Sequence, residues 1–274
     1  MMPPAPVLKW AGGKRQLLPE LMPRIAGAGK VSAYHEPFIG GGAVYFEICG
    51  RGLLPARATI SDVNPNLIDV YEAVREECPT LSRLLRALQE THSEDQYYAV
   101  RGRVPETRVE RAARVIYLNK TCFNGLYREN SKGGFNVPHG KYANPGIWNE
   151  PALFAASRAL QSAEILCRGF AAIVERAKDG DLVYFDPPYV PLSATASFAG
   201  YAKGGFGPAD QEELVGVLRV LDGRGVKFIL SNSMNERVRS LYAGFRIETV
   251  LASRNVNRNG AGRGKIEEAI VTNF

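Results

Sequence analysis

Histidine and cysteine are scarce in this chain, with three His and four Cys among 274 residues. His35, His92 and His139 lie far apart, no HExxH occurs, and Cys49, Cys78, Cys122 and Cys167 form no CxxC pair. That spacing supplies no zinc ligand set and no thiol redox pair, so each lone side chain reads as structural and no metal is expected. A cysteine nucleophile is not suggested, and the four thiols suit a reducing cytosol. No run approaches the roughly 18 consecutive apolar residues of a membrane span. No signal peptide opens the chain, so a cytoplasmic protein without a membrane partner is expected. Neither GxGxxG nor GxxxxGK[ST] is present, which disfavours a pyrophosphate clamp and a P-loop. Repeats and low-complexity tracts are absent as well.

The chain does have enough apolar residues, 45%, to bury a sizeable core as one large or two modest domains. The opening Met1-Met2-Pro3-Pro4-Ala5-Pro6 reads as a mobile tail. The formal charge is +6, and residues 101–141 alone carry nine Lys or Arg against three Asp or Glu, also a net +6. The rest is balanced. A local surplus of that size reads as an electrostatic footprint for phosphates, with a solvated helix face as the alternative for Arg101 to Arg114.

Chemistry is most legible at Asp186-Pro187-Pro188-Tyr189, directly after the apolar run Leu182-Val183-Tyr184-Phe185. A buried strand must stop there, because proline offers no N–H to a central ladder. A carboxylate, a rigid turn with exposed carbonyls and a flat ring suit a planar guest with an NH₂ group. Asp186 would accept one N–H and the Pro187 carbonyl the other, localising a lone pair that is otherwise delocalised into the ring, while Tyr189 stacks on the base. A plain strand-ending turn is the bland alternative.

His35-Glu36-Pro37-Phe38-Ile39-Gly40-Gly41-Gly42 leads into an apolar helix-like stretch. Twenty residues after Gly42 comes Asp62, at the end of Ala58-Thr59-Ile60-Ser61. This spacing matches the acidic residue that binds ribose hydroxyls in nucleotide-binding βαβ units, and the glycine pattern favours a nucleoside without phosphates. At the amino terminus, Lys9-Trp10-Ala11-Gly12-Gly13-Lys14 can close over a cofactor with an apolar face and a carboxylate, or be an ordinary loop.

KWAGGK at 9–14, EPFIGGG at 36–42, SDVNPNLI at 61–68, NGLYRENSKGGFNVPHGKY at 124–142 and DPPYVPLSATASF at 186–198 occur in one order. On these motifs the chain resembles the Dam family of DNA adenine methyltransferases over nearly its whole length. The resemblance implies methyl transfer from S-adenosylmethionine to the N6 amine of a flipped adenine in double-stranded DNA, with S-adenosylhomocysteine as product. It also implies a bacterial cytoplasmic protein held to the nucleoid by DNA, with a cognate restriction endonuclease as a separate partner. It assigns Trp10, Lys14, Phe38, Gly40, Gly42, Asp62 and Asp186 to the cofactor, and Asp186, Pro187, Pro188 and Tyr189 to catalysis. The third glycine, Gly41, departs from the family FxGxG pattern and is expected only to loosen the turn.

Leu126 to Ser131 and Phe135 to Pro138 flank Lys132-Gly133-Gly134 and read as a β-hairpin. Such a ribbon fits a major groove, where Arg128 can bind guanine O6 and N7. The resemblance matches Arg128, Leu126 and Pro138 to residues that read the second half of GATC, Lys9 to a contact with the first guanine, and Phe123 to an aromatic entering the space left by the adenine. Lys120, Asn124 and Ser193 are carried over as further DNA-binding residues. GATC is the favoured target, with longer sites as the alternative. A second basic segment, Arg254, Arg258, Arg263 and Lys265 among asparagines and glycines, would track phosphates or be an exposed loop.

Strands and helices alternate, which predicts an α/β fold with a parallel-rich sheet. Asn64-Pro65 caps a helix with Leu67, Ile68, Tyr71 and Val74 on one face, and Pro208 opens another with Leu214, Val217, Leu218 and Leu221 inward. The resemblance makes this a Rossmann-like methyltransferase sheet with helices on both faces. Residues 1–74 and 166–274 would form the cofactor-binding catalytic domain. Residues 75–165 would form an inserted, mainly helical DNA-recognition domain with its hairpin at about 125–140. An RNA or protein-amide methyltransferase leaves the hairpin without a role, a non-enzymatic regulator leaves Asp62 and Asp186 unexplained, and a dinucleotide oxidoreductase lacks its glycine fingerprint.

Overall fold

The computed structural model describes residues 2–10, 12–130, 133–189, 206–253 and 265–274. Among the described residues, seven strands form one sheet: β1 (Tyr34–Glu36), β2 (Ala58–Asp62), β3 (Ala163–Cys167), β4 (Leu182–Phe185), β5 (Lys227–Ser233), β6 (Arg246–Ser253) and β7 (Lys265–Thr272). Their spatial order is β3-β2-β1-β4-β5-β7-β6. The first five pair in parallel, β7 runs antiparallel to β5, and β6 antiparallel to β7. From β1 the chain winds outward through β2 to β3, then returns to the other side of β1 as β4. That reversal falls between β1 and β4, and the carboxyl ends of the strands at such a point are where doubly wound sheets bind ligands.

All four residues of β4 are buried, as expected of a parallel strand covered on both faces. Tyr34, Ile60, Tyr184, Ile229 and Ile270 face a core shared with helices α1 (Leu18–Gly27), α2 (Ala43–Gly50), α3 (Pro65–Glu76), α4 (Cys78–Glu90), α5 (Glu94–Gly102), α6 (Arg108–Thr121) and α7 (Glu150–Leu160). Val183, Phe185, Phe228, Leu230 and Val271 face the opposite core, closed by α8 (Pro208–Gly223), α9 (Glu236–Leu241) and the 3₁₀ turn Phe170–Glu175. The two expected helices form as their sequences require. The Asn64 side chain accepts the amides of Asn66 and Leu67 at 3.0 and 3.4 Å, and Pro65 takes the first helical position. Pro208 opens α8, with Asp210 accepting the Gly207 amide at 2.6 Å.

Four expectations change. From Pro4 on the amino-terminal segment does not project as a tail, since Pro4 to Val7 are half-buried and Pro4 lies against Gly50 at the end of α2. The sheet resumes at Ala163, three residues before the expected return at 166, and the core beneath β1 and β2 continues without a break into α4–α7. The hairpin is not a regular ribbon. Two isolated bridges, Cys122 with His139 and Glu129 with Phe135, hold it, and Asn130 accepts the Gly133 amide at 2.9 Å. The arms are short, and Pro138 at the end of one offers no N–H to continue the ladder.

The fourth change concerns charge. Arg108 is bound by Glu72, Glu76 and Glu77, and Arg111 by Asp69 at 2.6 Å, which ties α6 to α3 and the start of α4. Arg114 donates to the carbonyls of Val100 and Arg101, and Arg101 to that of Val137. These four arginines are neither a phosphate footprint nor a solvated face. Their partners, supplied by other segments, neutralise or occupy them.

Candidate active site

β4 delivers Asp186 to this point, with its side chain 21% exposed. Its Oδ1 accepts the Lys14 ammonium at 2.7 Å and the Ser231 hydroxyl at 3.3 Å. Ser231 in turn lies 2.9 Å from the Tyr184 hydroxyl. Among the described residues, neither Asp186 Oδ2 nor the Pro187 carbonyl receives a hydrogen bond, whereas the Pro188 carbonyl is taken by Gln211 Nε2 at 3.2 Å. Burial pushes the Asp186 carboxyl up, partly offset by the charge and hydrogen bond of Lys14, and the acid stays above its ordinary range. Tyr189 donates to Glu268 Oε2 at 2.7 Å, and Lys14 Nζ stands 4.3 Å from its ring centroid.

The turn after β1 meets Asp62 at the tip of β2. Asp62 Oδ2 accepts the Gly40 amide at 3.2 Å and Oδ1 the Asn64 amide at 3.0 Å, while burial pushes its pKa up. Tyr71 donates to the Gly40 carbonyl at 2.7 Å. Gly42, at φ +72°, begins α2 where a Cβ would sit 2.8 Å from the Tyr71 oxygen. Gly41 does more than loosen the turn. A Cβ on Gly40 or Gly41 would come within 3.0 Å of Trp10, so both glycines make room for the indole. Trp10 also packs on Tyr127, with centroids 5.1 Å apart. It therefore bridges the glycine turn and the hairpin.

Phe38 turns to the opposite core, stacking on Phe170 at 5.3 Å and 19° with Phe206 edge-on at 5.7 Å. Beside this aromatic cluster, Arg168 donates its amide to the Asp62 carbonyl at 3.1 Å and Val63 is 54% exposed. Beneath the turn, Glu36 is 2% exposed and accepts the Tyr34 hydroxyl at 2.7 Å. Burial pushes its carboxyl up to about 8, despite bonds from Tyr34 and the Tyr45 amide. A carboxylate at the tip of β2, apolar rings, the Asp186 carboxylate and close-packed glycines are a donor set that fits a nucleoside sulfonium.

Several of the expected DNA-contacting residues meet at the end of α6. The fully buried Asn119 accepts the Lys9 amide at 2.8 Å and donates to the carbonyls of Lys9 at 2.7 Å and Gly125 at 3.2 Å. Lys9 Nζ lies 5.3 Å from the Tyr142 ring centroid. Burial, then the charges of Lys9 and Arg15, push the Lys120 amine down. Phe123 is 52% exposed, its amide bonded to the Pro138 carbonyl at 2.9 Å. Asn124 next to it is exposed at φ +57°. The half-buried Leu126 gives its carbonyl to Cys122 Sγ at 3.1 Å. Arg128 stands apart, exposed, with Nε on Asn136 Oδ1 at 2.7 Å. Asn66 at the start of α3 donates to Tyr127 and Glu129 at 3.0 and 3.1 Å, on either side of Arg128 in sequence. Ser193, Ser131, Lys132, the segment 190–205 and the basic residues 254–264 lie outside the described residues.

Sequence reasoning missed Asn119, Glu268, Phe170 and Asn66; for Ser231 the family sheet order places the end of the strand Val226 to Leu230, and so Ser231-Asn232, near the DPPY strand, without a role.

Residues 10–256 match the family described as D12 class N6 adenine-specific DNA methyltransferases. The Type II methyltransferase M1.LlaDCHI of Lactococcus lactis subsp. cremoris is 42% identical over 98% of this chain and 95% of its own. The Type II methyltransferase M.MjaIII of Methanocaldococcus jannaschii is 41% identical over 98% and 99%, and the DNA adenine methylase of Escherichia coli K12 is 33% identical over 96% and 93%. With its DPPY carboxylate, glycine turn and Asp62 at adjacent strand ends, this chain belongs to the D12 class of N6 adenine-specific DNA methyltransferases.

Proposed function

We propose that the chain methylates the N6 amine of an adenine flipped out of duplex DNA, most favourably in GATC, with S-adenosylmethionine as donor. The observation that carries this reading is that Asp186, the glycine turn and Asp62 all stand at the carboxyl ends of adjacent parallel strands, beside the point where the sheet reverses its winding. When bound, the cofactor supplies an electrophilic methyl on a good leaving group. Asp62 would hold its ribose hydroxyls, the Phe38 and Phe170 side would take its adenine, and the turn from Gly40 to Gly42 with Trp10 and Lys14 its methionine end.

Asp186 Oδ2 accepts one amine N–H and the Pro187 carbonyl the other, which draws the nitrogen lone pair out of the ring. Oδ2 then takes the proton that the amine sheds. Tyr189, fixed by Glu268, stacks on the base. Lys14 now lies on Asp186 Oδ1 and over the Tyr189 ring, where the base would stack, so it gives way as the base enters. Flipping costs a few kcal/mol, offset by Phe123 in the vacated space and by phosphate contacts from Lys9, Lys120 and Asn124. Arg128 reads a guanine, with Leu126 and Pro138 against neighbouring bases. Residues 75–162 form the recognition unit. The Type II names of two relatives favour a separate restriction endonuclease with the same target as partner.

The test is sequencing of modified bases in plasmid from a methylation-free host that expresses this chain. N6-methyladenine in GATC, lost with Asp186→Ala, is expected. No modified adenine would refute the activity, and modified adenine in another sequence would refute GATC alone. Resistance of that plasmid to cleavage at the modified site supports the endonuclease pairing.

A further inference from the structure

Asp186 follows the last residue of a strand, and a carboxylate there turns freely unless its oxygens are held. Only one oxygen is held among the described residues. Oδ1 takes Lys14 at 2.7 Å and Ser231 at 3.3 Å. Lys14 sits at the end of a long side chain and gives way when a base enters. Ser231 cannot leave. It lies inside β5, fully buried, and its hydroxyl is bound from behind by Tyr184, also fully buried, at 2.9 Å.

The direction of the chain follows from chemistry. An ionised carboxylate offers only acceptors, so Ser231 donates to Asp186 and its oxygen is left to accept from Tyr184. Tyr184 keeps its proton, because burial and the charge of Asp186 raise its pKa well above the ordinary value. Two buried hydroxyls on the face of the sheet that carries Ile229 would each be unfavourable unless paired, and the pairing found here ends on the carboxylate.

We propose that Ser231, oriented by Tyr184, is a positioning residue for methyl transfer: it holds Asp186 by Oδ1 once Lys14 withdraws, leaving Oδ2 for the substrate amine. This rests on Asp186 as the amine acceptor. The groups that set the charge of Asp186 are Lys14 from the amino-terminal loop, Glu36 from β1, Glu268 from β7, Ser231 from β5, and Tyr184 and Tyr189 from its own segment.

Ser231→Ala should lower kcat about 10- to 100-fold, the range for one hydrogen bond to a charged group, with dissociation constants for cofactor and DNA unchanged. Losing the donor favours the protonated carboxyl, so the acid limb of the pH profile should move to higher pH. Tyr184→Phe should give a smaller change of the same kind, and should add nothing to Ser231→Ala, because it acts only through that hydroxyl. An unchanged kcat and acid limb in Ser231→Ala, with Asp186→Ala inactive, would overturn the proposal and leave the reading of Asp186 intact. Full turnover by Asp186→Ala would remove that reading first. If Ser231→Ala does not fold, Tyr184→Phe decides: a wild-type acid limb and kcat would refute the relay.

Discussion

Replacing Asn119 by alanine tests how the patch of Lys9, Lys120 and Phe123, proposed to face DNA, is held. This amide joins three segments: the amino-terminal loop through both backbone groups of Lys9, the end of α6 that carries it, and the turn after Phe123 through the Gly125 carbonyl. Three hydrogen bonds at about 1 kcal/mol net each, with the buried Gly125 carbonyl left unpaired, put the loss at about 3 to 4 kcal/mol. Part of the orphaned Lys9 backbone reaches water, which sets the lower end near 2 kcal/mol. Gly125 is packed under Lys9, where a Cβ would sit 2.7 Å from the lysine Cδ, so the loop and turn should loosen together. Equilibrium urea unfolding gives the stability change from the midpoint at an unchanged slope. Asn119→Asp should be at least as damaging, since it keeps the acceptor for the Lys9 amide but aims an anion at two carbonyls. DNA affinity should fall in both variants, and cofactor affinity should hold. A change below about 0.5 kcal/mol, the range of inert surface substitutions, would refute this account of how Lys9 and Phe123 are placed.

Arg128→Ala should cost about 1 to 3 kcal/mol at the guanine it reads and relax selectivity there; equal weakening for all sequences in a binding assay would make Arg128 a phosphate contact instead. Asn64→Ala removes the cap of α3 and should destabilise the fold by about 1 kcal/mol, with weaker cofactor binding by calorimetry because the same turn sets Asp62; unaltered cofactor affinity would separate cap from site. Glu36 holds a proton up to about pH 8 in the fold but loses it near 4.5 when unfolded. The folded state thus binds more protons between those values, and stability should fall by a few kcal/mol as pH rises from about 5 to 8. Glu36→Gln should flatten that decline in thermal melts, and an identical slope would assign the proton elsewhere. DNA affinity should drop steeply with added salt, and a flat response would contradict a phosphate-gripping surface around Lys9 and Lys120.

Local sequence carried the strands, the capped helices and the chemistry of each motif. The run Leu182 to Phe185 followed by two prolines can only be a buried strand that stops, and Asn64-Pro65 can only open a helix well. These depend on periodicity and backbone constraints within a few residues. Gly41 was misread because its reason is an indole from another segment pressed against it. Arg108 and Arg111 were misread because Glu72, Glu76, Glu77 and Asp69 lie on α3 and the junction after it, and Arg101 and Arg114 because carbonyls of other segments take them. A net charge counted along a chain cannot see partners that arrive through space.

The sequence by itself therefore determined an α/β chain with a carboxylate turn, a glycine turn and an acidic strand end, each able to serve one nucleoside-sized guest. Tertiary structure alone decided that they stand side by side at one edge of the sheet, because β2, β1 and β4 are adjacent and parallel and the winding reverses between β1 and β4. It alone decided that Lys14 and Ser231 meet on one oxygen of Asp186 and that Asn119 joins Lys9 to Gly125. Such contacts join positions far apart in the chain, and their energy depends on burial and distance, neither of which a linear pattern records.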